Sequence, residues 1–284
     1  MFKNTLKTAV LLAALGGLFM GIGSLFGTGG LVLGAILGLV FVGGSYWFSD
    51  KLAVRAAGAQ PVTEQQAPEL YAIVRQLTTR ADMPMPQIYI SPAQQPNAFA
   101  TGRNPEHAAV AVTEGLLQVL DRDELRGVLA HELSHVRHRD ILISSVAAAV
   151  AMAIMFVARI AFWGQLFGGG GRDDDNNAIG ALLMMLLAPL AAALLQAALS
   201  RSREFEADRG GAELLGGDGE PLARALEKIE TYARRVPMNV DPAHASAFIV
   251  NPLTGRKMQF ANLFTTHPPT EERIRRLRSH SAVS

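Results

Sequence analysis

The chain has 284 residues, with 26 basic and 25 acidic side chains, a formal net charge of +1 and no cysteine. This composition excludes a disordered chain, a collagen-like fibre and a small secreted domain held together by disulfides. The charges are unevenly placed, because residues 8–49 and 176–200 carry none and residues 141–171 carry only Arg159. We therefore predict apolar segments that interrupt a domain of ordinary soluble composition.

The first predicted elements are two apolar segments, 9–26 and 31–48, joined by a glycine-rich link at 27–30. Each approaches the roughly 20 apolar residues that a helix needs to cross a bilayer. We predict that they form a transmembrane hairpin, which makes residues 1–50 the first unit of the chain. A cleaved signal peptide is the alternative for the first segment, since two lysines precede it.

A soluble segment follows at residues 51–140. Thr63 and Pro68 precede an apolar repeat that predicts an N-capped helix to about Ala81. Three short runs favour β-strands, namely Gln87–Ile90, Asn97–Thr101 and Ala108–Val112. Thr113 fits the N-cap of a further helix through Leu120. The expected fold is mainly helical, of the α+β class, with one small sheet.

The next predicted helix carries the strongest chemical signal. Asp121 and Glu124 have the spacing of a capping box, so a helix should begin there and run over 122–139. It contains the sequence His131-Glu132-Leu133-Ser134-His135. Histidines four residues apart point from the same helix face, where both can bind a single metal ion. Glu132 would then lie beside the metal, where it can accept a proton from water.

A second pair of apolar segments, 141–163 and 178–199, predicts another transmembrane hairpin, which forms the third unit at 141–199. A buried helical hairpin of a soluble core is the alternative, and Arg159 keeps it open. Basic residues flank both hairpins on one side, at Lys3, Lys7, Lys51, Arg55, Arg137, Arg139, Arg201 and Arg203. The positive-inside rule therefore places both termini and the two soluble segments in the cytoplasm.

The second hairpin suggests the third metal ligand. It should return the chain at residues 200–284 to the membrane side that His135 left. Glu204 and Asp208 share a helix face there, so one can bind the metal while the other accepts a hydrogen bond from a ligating histidine. Glu206 is the next candidate, and simple pairing of these acids with nearby arginines is the alternative.

Together these motifs resemble a known family. The His131–His135 motif followed by Arg139-Asp140, the segment 200–208, and the segments 96–102 and 266–274 resemble the HtpX-type membrane zinc metalloproteases, which are relatives of the CAAX prenyl endopeptidases. The resemblance covers nearly the whole chain. It implies a zincin-like cytoplasmic domain with a small β-sheet, attached to transmembrane helices.

The resemblance also implies roles for individual residues. One Zn²⁺ per chain would be bound by His131, His135 and Glu204, with Glu132 as the general base and Asp208 behind the ligands. His267, and less directly Arg273, would stabilise the oxyanion. The residues implied to align the substrate backbone by β-addition are Asn97, Ala98, Phe99 and Ala100.

The implied function is hydrolysis of peptide bonds in misfolded or damaged membrane proteins during stress, on the cytoplasmic side of a bacterial inner membrane. The expected partners are these substrates and the lipid bilayer; sparse aromatic residues and a net charge of +1 argue against nucleic acid. The alternatives are a prenyl-protein endopeptidase and a membrane adaptor that binds zinc without catalysis. An intramembrane protease is a third alternative, disfavoured by the many charges at 121–140.

Overall fold

The structure, a computed structural model, describes residues 27–143, 201–235 and 268–281 and part of the segment 9–24. The helices are α1 Gly27–Trp47, α2 Ser49–Ala56, α3 Pro68–Ala81, α4 Glu114–Val119, α5 Arg122–Arg137, α6 Arg201–Leu214, α7 Glu220–Arg235 and α8 Thr270–Ser281. The strands are β1 Gln60–Pro61, β2 Gln87–Ser91, β3 Ala98–Gly102 and β4 Ala108–Thr113, and Pro105–His107 form a 3₁₀ turn. The described part is thus mainly helical with one sheet, as predicted.

The described residues of the N-terminal apolar segments are helical up to Trp47. In the described part of the chain, one helical segment, Gly27–Gly44, is long and apolar enough to cross a membrane, and only 11% of it is buried. The residues described between 9 and 24 are also helical. They pack tightly on α1, since a Cβ atom on Gly34 would lie 2.4 Å from the carbonyl oxygen of Phe19. The predicted link at 27–30 was wrong, because these residues form the first turn of α1.

The second predicted hairpin lies almost entirely outside the described residues, and Arg159 lies there too. Of the segment 141–163, only the helical residues 141–143 are described.

The sheet has the strand order β1-β2-β4-β3. Strands β2 and β4 are parallel, whereas β1 pairs with β2 and β3 pairs with β4 in antiparallel fashion. All three predicted strands are present, each displaced or extended by one residue. Strand β1 escaped prediction because it has only two residues, one of them a proline. Strand β3 forms one edge of the sheet.

Alternate residues of the strands face two different layers, as a pleated backbone requires. On one face Ala109 and Ala111 of β4 pack with Val54 and Ala59, so α2 and the turn after it cover this side. The other face joins the main core, in which Val110 and Val112 cluster with apolar residues of α3, α5 and α7. The sheet therefore separates α2 from the helix that carries the histidines.

Helix α5 lies at the centre of the fold. Its capping box is present, since Asp121 accepts a hydrogen bond from the Glu124 amide and Glu124 accepts one from the Asp121 amide. The helix ends at Arg137, two residues earlier than predicted, because Arg139 adopts a left-handed conformation with φ of 58°. The predicted N-cap at Thr63 was wrong: α3 begins at Pro68, and Thr63 instead forms a turn with Gln66.

Candidate active site

The two histidines of α5 lie side by side, as their spacing predicts. The ring centroids of His131 and His135 are 4.8 Å apart, with the ring planes at 87° to each other. The His131 side chain is 1% exposed and the His135 side chain is 16% exposed. The pair therefore borders the protein interior on one side and a more open region on the other.

Helix α6 brings Glu204 against these rings. Its Oε2 lies 3.6 Å from Nε2 of His131, and its Oε1 lies 3.6 Å from Nε2 of His135. The close approach of α5 and α6 depends on Gly211, where a Cβ atom would lie 2.9 Å from the backbone nitrogen of His131. Glu206, the alternative candidate, is exposed and lies outside this group.

The three residues fit a divalent metal ion. One donor atom from each of His131, His135 and Glu204 lies within 4.8 Å of the others. Two ligands of a tetrahedral zinc ion lie roughly 3.4 Å apart when the metal–ligand bonds are about 2.0–2.1 Å long. The observed 3.6 Å separations are close to this value. Two imidazoles and one carboxylate also match a common catalytic set that leaves a fourth position open.

The Nδ1 side of the His131 ring, opposite the side that faces Glu204, contacts a buried ion pair. Its Nδ1 lies 2.9 Å from Oδ1 of Asp208. The guanidinium of Arg273 donates to both oxygens of Asp208, from Nε at 2.9 Å and from Nη2 at 2.7 Å. Burial alone would raise the pKa of Asp208, but the charge of Arg273 and the hydrogen bonds from His131 and Arg273 lower it to about 2. Asp208 therefore stays ionised and fixes the His131 tautomer that presents Nε2 to the metal.

The Nδ1 side of His135 faces a second carboxylate, at a longer distance. Its Nδ1 lies 3.5 Å from Oδ2 of the buried Asp140. Burial acts to lower the pKa of His135, yet Asp140, Glu204 and Glu132 raise it to about 9 in the metal-free protein. The positive φ of Arg139 turns the chain so that Asp140 returns to this position.

A buried arginine lies near this second carboxylate. Arg203 is 7% exposed, and its three guanidinium nitrogens make no hydrogen bond to the part of the chain that the structure describes. Burial lowers its pKa, while the charges of Asp140, Glu204 and Glu206 oppose this effect. Sequence reasoning missed both Asp140 and Arg203. The only signal was their position, Asp140 just after the motif helix and Arg203 just before Glu204.

Glu132 connects the histidine helix to the sheet. Its side chain is buried, and its Oε2 accepts a hydrogen bond from the backbone N–H of Ala100 at 2.9 Å. Ala100 lies in the middle of β3, the edge strand. The carboxylate beside the candidate metal ligands is therefore fixed to the strand that could receive an added substrate strand.

Alternate residues of the predicted substrate strand direct their backbone N–H and C=O groups to opposite sides. The N–H of Asn97 donates to the Thr113 hydroxyl, and its carbonyl accepts from the Thr113 N–H, so Asn97 is committed to β4. Partners alternate along an antiparallel strand, which turns Phe99 toward β4 and turns Ala98 and Ala100 outward. The backbone groups that do not pair with β4 are thus those of Ala98, which is 2% exposed, and of Ala100, whose N–H is bonded to Glu132.

Two further predicted residues have different outcomes. His267 lies outside the described residues. Arg273 is described, and its bonded nitrogens face Asp208, with Nη2 also 3.5 Å from the ring nitrogens of His131. Arg273 is therefore the partner of Asp208, and its oxyanion role stays a prediction.

Three residues that can hold a metal ion, with a carboxylate beside them on a helical fold with a small sheet, are typical of a metalloprotease. The comparisons with known proteins agree. The sequence model described as "Peptidase family M48" matches residues 64–281. The chain belongs to this peptidase family. The predicted division into units at residues 50, 140 and 199 stays a prediction.

Similar proteins refine the assignment. The chain is 53% identical to a "Protease HtpX homolog" of Syntrophobacter fumaroxidans over 279 residues, covering 96% of this chain and 98% of the relative. It is 51% identical to a protein of the same description from Burkholderia mallei, covering 96% of both chains. The crystal structure of S. mikatae Ste24p is similar with a TM-score of 0.52 and 21% identity, covering 97% of this chain and 66% of that one. The predicted HtpX-type membrane metalloprotease is thus confirmed, and the last comparison shows the shared fold.

Proposed function

We propose that the chain is a zinc endopeptidase of a bacterial inner membrane that cleaves misfolded or damaged membrane proteins on the cytoplasmic side during stress. One observation carries this proposal. Glu132 lies close enough to the His131, His135 and Glu204 group for its charge to act on His135, and it is bonded to the edge strand at Ala100. The same carboxylate can therefore face a water molecule, the metal site and the backbone of an added substrate strand.

The residues of the site have separable tasks in this proposal. His131, His135 and Glu204 would hold the zinc ion, which when bound supplies Lewis acidity that activates water and polarises the scissile carbonyl. Glu132 accepts a proton from the attacking water and delivers it to the leaving amine. Asp208 and Asp140 keep both imidazoles oriented through Nδ1.

The proposal also specifies the orientation of the chain in the membrane and the class of substrate. Lys51 and Arg55 follow α1 directly, which supports a cytoplasmic position for the end of this helix. An edge strand that binds backbone groups accepts extended polypeptide, a form that misfolded or damaged proteins expose. We infer that such segments of membrane proteins are the substrates, with the lipid bilayer as the second partner.

The test is cleavage by protein purified in detergent without metal. Addition of zinc should restore hydrolysis of casein and of a destabilised membrane protein, and the stable parent of that membrane protein should be cleaved more slowly. Glu132→Gln should bind metal and lose hydrolysis by about 100-fold or more. Full activity of this variant would contradict the general-base role. Equal cleavage of the stable and destabilised proteins would contradict the quality-control role.

The remaining alternatives give different results in the same assay. A prenyl-protein endopeptidase would require the isoprenoid group, so an unmodified peptide would resist cleavage. The chain belongs to a peptidase family, and this membership argues against the alternative of a non-catalytic adaptor.

A further inference from the structure

The junction between α1 and α2 exposes large apolar side chains next to basic ones. Trp47 is 58% exposed and Phe48 is 53% exposed. Both lie within four residues of the end of the apolar segment Gly27–Gly44. Leu52, one turn further on, is 42% exposed. Tryptophan is enriched where a membrane helix meets the headgroup region, because its ring is apolar and its N–H is polar.

Helix α2 presents a mixed face at this junction. Val54 packs on the sheet, whereas Lys51, Leu52 and Arg55 are exposed on the other side of the helix. The ammonium of Lys51 lies 5.8 Å from the centre of the Phe48 ring. Apolar and basic side chains on one exposed face are typical of a helix that lies on a membrane surface. Asp50 is the only acidic residue between residues 8 and 63, so the local charge favours anionic lipid.

The substrate strand is fixed to this junction by Arg103. This residue follows the end of β3, and its Nη1 donates to the carbonyl oxygen of Trp47 at 3.3 Å. Its guanidinium also lies 5.0 Å from the centre of the Trp47 ring. Phe99 of β3 also packs against the cluster that contains Val54 of α2. The edge strand and the end of α1 are thus joined by direct contacts.

The distance from this junction to the catalytic carboxylate is short. Ala100, which bonds Glu132, precedes Arg103 by three residues, and three extended residues span at most roughly 11 Å. With the length of the Arg103 side chain added, Ala100 lies within roughly 20 Å of Trp47. A substrate in extended form would cover this distance with about six residues.

We propose that the cluster of Trp47, Phe48, Leu52 and Arg103, the interfacial cluster, lies in the headgroup region of the bilayer and fixes the edge strand β3 beside the membrane. The enzyme then cleaves membrane-anchored polypeptides close to their membrane boundary. This inference rests on the proposed function, and it narrows the substrate class to juxtamembrane segments in extended form.

The position of the cluster can be measured with the full chain in nanodiscs of phosphatidylcholine and phosphatidylglycerol. The sequence has two tryptophans, so Trp163→Phe leaves Trp47 as the single fluorophore. Lipids brominated near the headgroup should quench Trp47 more strongly than lipids brominated near the chain ends. Quenching by aqueous iodide with no effect of brominated lipids would overturn the proposal.

The consequence for cleavage is tested with single-span substrates that carry one susceptible segment at increasing distance from the membrane. Spacers of about 5, 15 and 30 residues place the segment within and beyond the reach of the edge strand. The shortest spacer should give cleavage about tenfold faster than the longest, because the shared membrane raises the effective concentration only where the geometry permits contact. Equal rates at all spacings would overturn the inference.

Two variants connect the cluster to this preference. Arg103→Glu should reduce the advantage of the short spacer and leave casein cleavage in detergent unchanged. Arg122→Glu is the matched control, since Arg122 is exposed on the distant start of α5, and it should keep the preference. An unchanged preference in Arg103→Glu would contradict the role of the cluster. If the wild type cleaves no substrate at any spacing and Glu132→Gln behaves identically, the proposed function itself fails.

Discussion

The two histidines of the metal group are held in unequal ways. His131 is fully buried, its Nδ1 lies 2.9 Å from Asp208, and Arg273 binds both oxygens of that carboxylate. His135 is partly exposed, and its Nδ1 lies 3.5 Å from Asp140. Each histidine thus has a carboxylate behind it, and the Nδ1–carboxylate distance is shorter for His131, whose Asp208 also accepts two hydrogen bonds from Arg273.

From this difference we infer a more rigid half of the site around His131 and a more adaptable half around His135. The rigid half is assembled from α5, α6 and α8, so it requires the completed tertiary fold. The adaptable half combines the end of α5 with Arg203 and Glu204 of α6, and it lies on the more open side, where substrate and water would enter. We infer that the His131 side sets the position of the metal and that the His135 side can adjust during turnover.

The largest expected effect comes from Glu204, which contacts both histidines. Glu204→Gln should weaken metal binding by more than the roughly 100-fold that loss of an outer hydrogen-bond partner can cause. Metal content after dialysis measures this effect. The control is Glu206→Gln, which changes an exposed carboxylate on the same helix and should retain metal. Stoichiometric metal in the Glu204 variant would move the third ligand elsewhere.

The next effect concerns the rigid half. Arg273→Gln leaves the Asp208 carboxylate buried without its cation, and breaking a buried pair in this way lowers the free energy of unfolding by about 3–5 kcal/mol. Thermal unfolding of the metal-free protein in detergent measures the change. The double variant Asp208→Asn with Arg273→Gln should be less destabilised than the single variant. An unchanged melting temperature for Arg273→Gln would show that the pair is not the anchor we infer.

A direct comparison of the two carboxylates comes next. Asp208→Asn and Asp140→Asn each remove the partner of one histidine, a change that typically weakens metal binding by about 10–100-fold. The Asp208 variant should lie near the upper end of this range and the Asp140 variant near the lower end. Competition with a zinc-binding dye gives both affinities. Equal losses would refute the inequality of the two halves.

The two halves should also differ in their response to pH. The pKa of His135 is raised to about 9 in the metal-free protein, so His135 is protonated at pH 7 and must lose this proton to bind metal. Metal affinity should therefore rise between pH 7 and 9 and level off above pH 9. Asp140→Asn removes one group that favours the protonated form and should move this plateau to lower pH. An affinity independent of pH over this range would contradict the assignment.

The smallest effect is expected at Arg203. Its guanidinium is buried without a hydrogen bond to the described residues, in contrast to that of Arg273. Removal of one partner from a buried set of charges is destabilising, but Arg203 makes no hydrogen bond to the described residues, so Arg203→Met should lower the free energy of unfolding by less than the roughly 3–5 kcal/mol expected at Arg273. Arg273→Met is the matched comparison and should be far more harmful. A large loss in Arg203→Met would make the two halves more alike than we infer.

The predictions that succeeded depended on local patterns. The capping box of α5 and the spacing of His131 and His135 are set within one helix, so the sequence contains all the necessary information. Glu204 was predicted from topology, because a returning hairpin limits where the next helix can lie. The structure brings this residue to the two histidines.

The parts that escaped prediction depend on contacts between distant residues. Arg273 is 65 residues from Asp208 and 142 residues from His131, so no local pattern relates them. Asp140 reaches His135 only because Arg139 adopts a positive φ, which is uncommon for residues other than glycine. The short helix α2 was not predicted, since its eight residues mix apolar, charged and small side chains.

The outward backbone groups of Ala98 and Ala100 have a consequence for selectivity. Every polypeptide carries the same N–H and C=O groups, so a strand added to β3 would be bound with little regard to its side chains. The alanines also present little surface against which a particular sequence could be distinguished. What such an edge can distinguish is whether the hydrogen-bonding groups of a segment are already paired within its own fold. The site would then select segments that have lost their folded structure, whatever their amino-acid sequence.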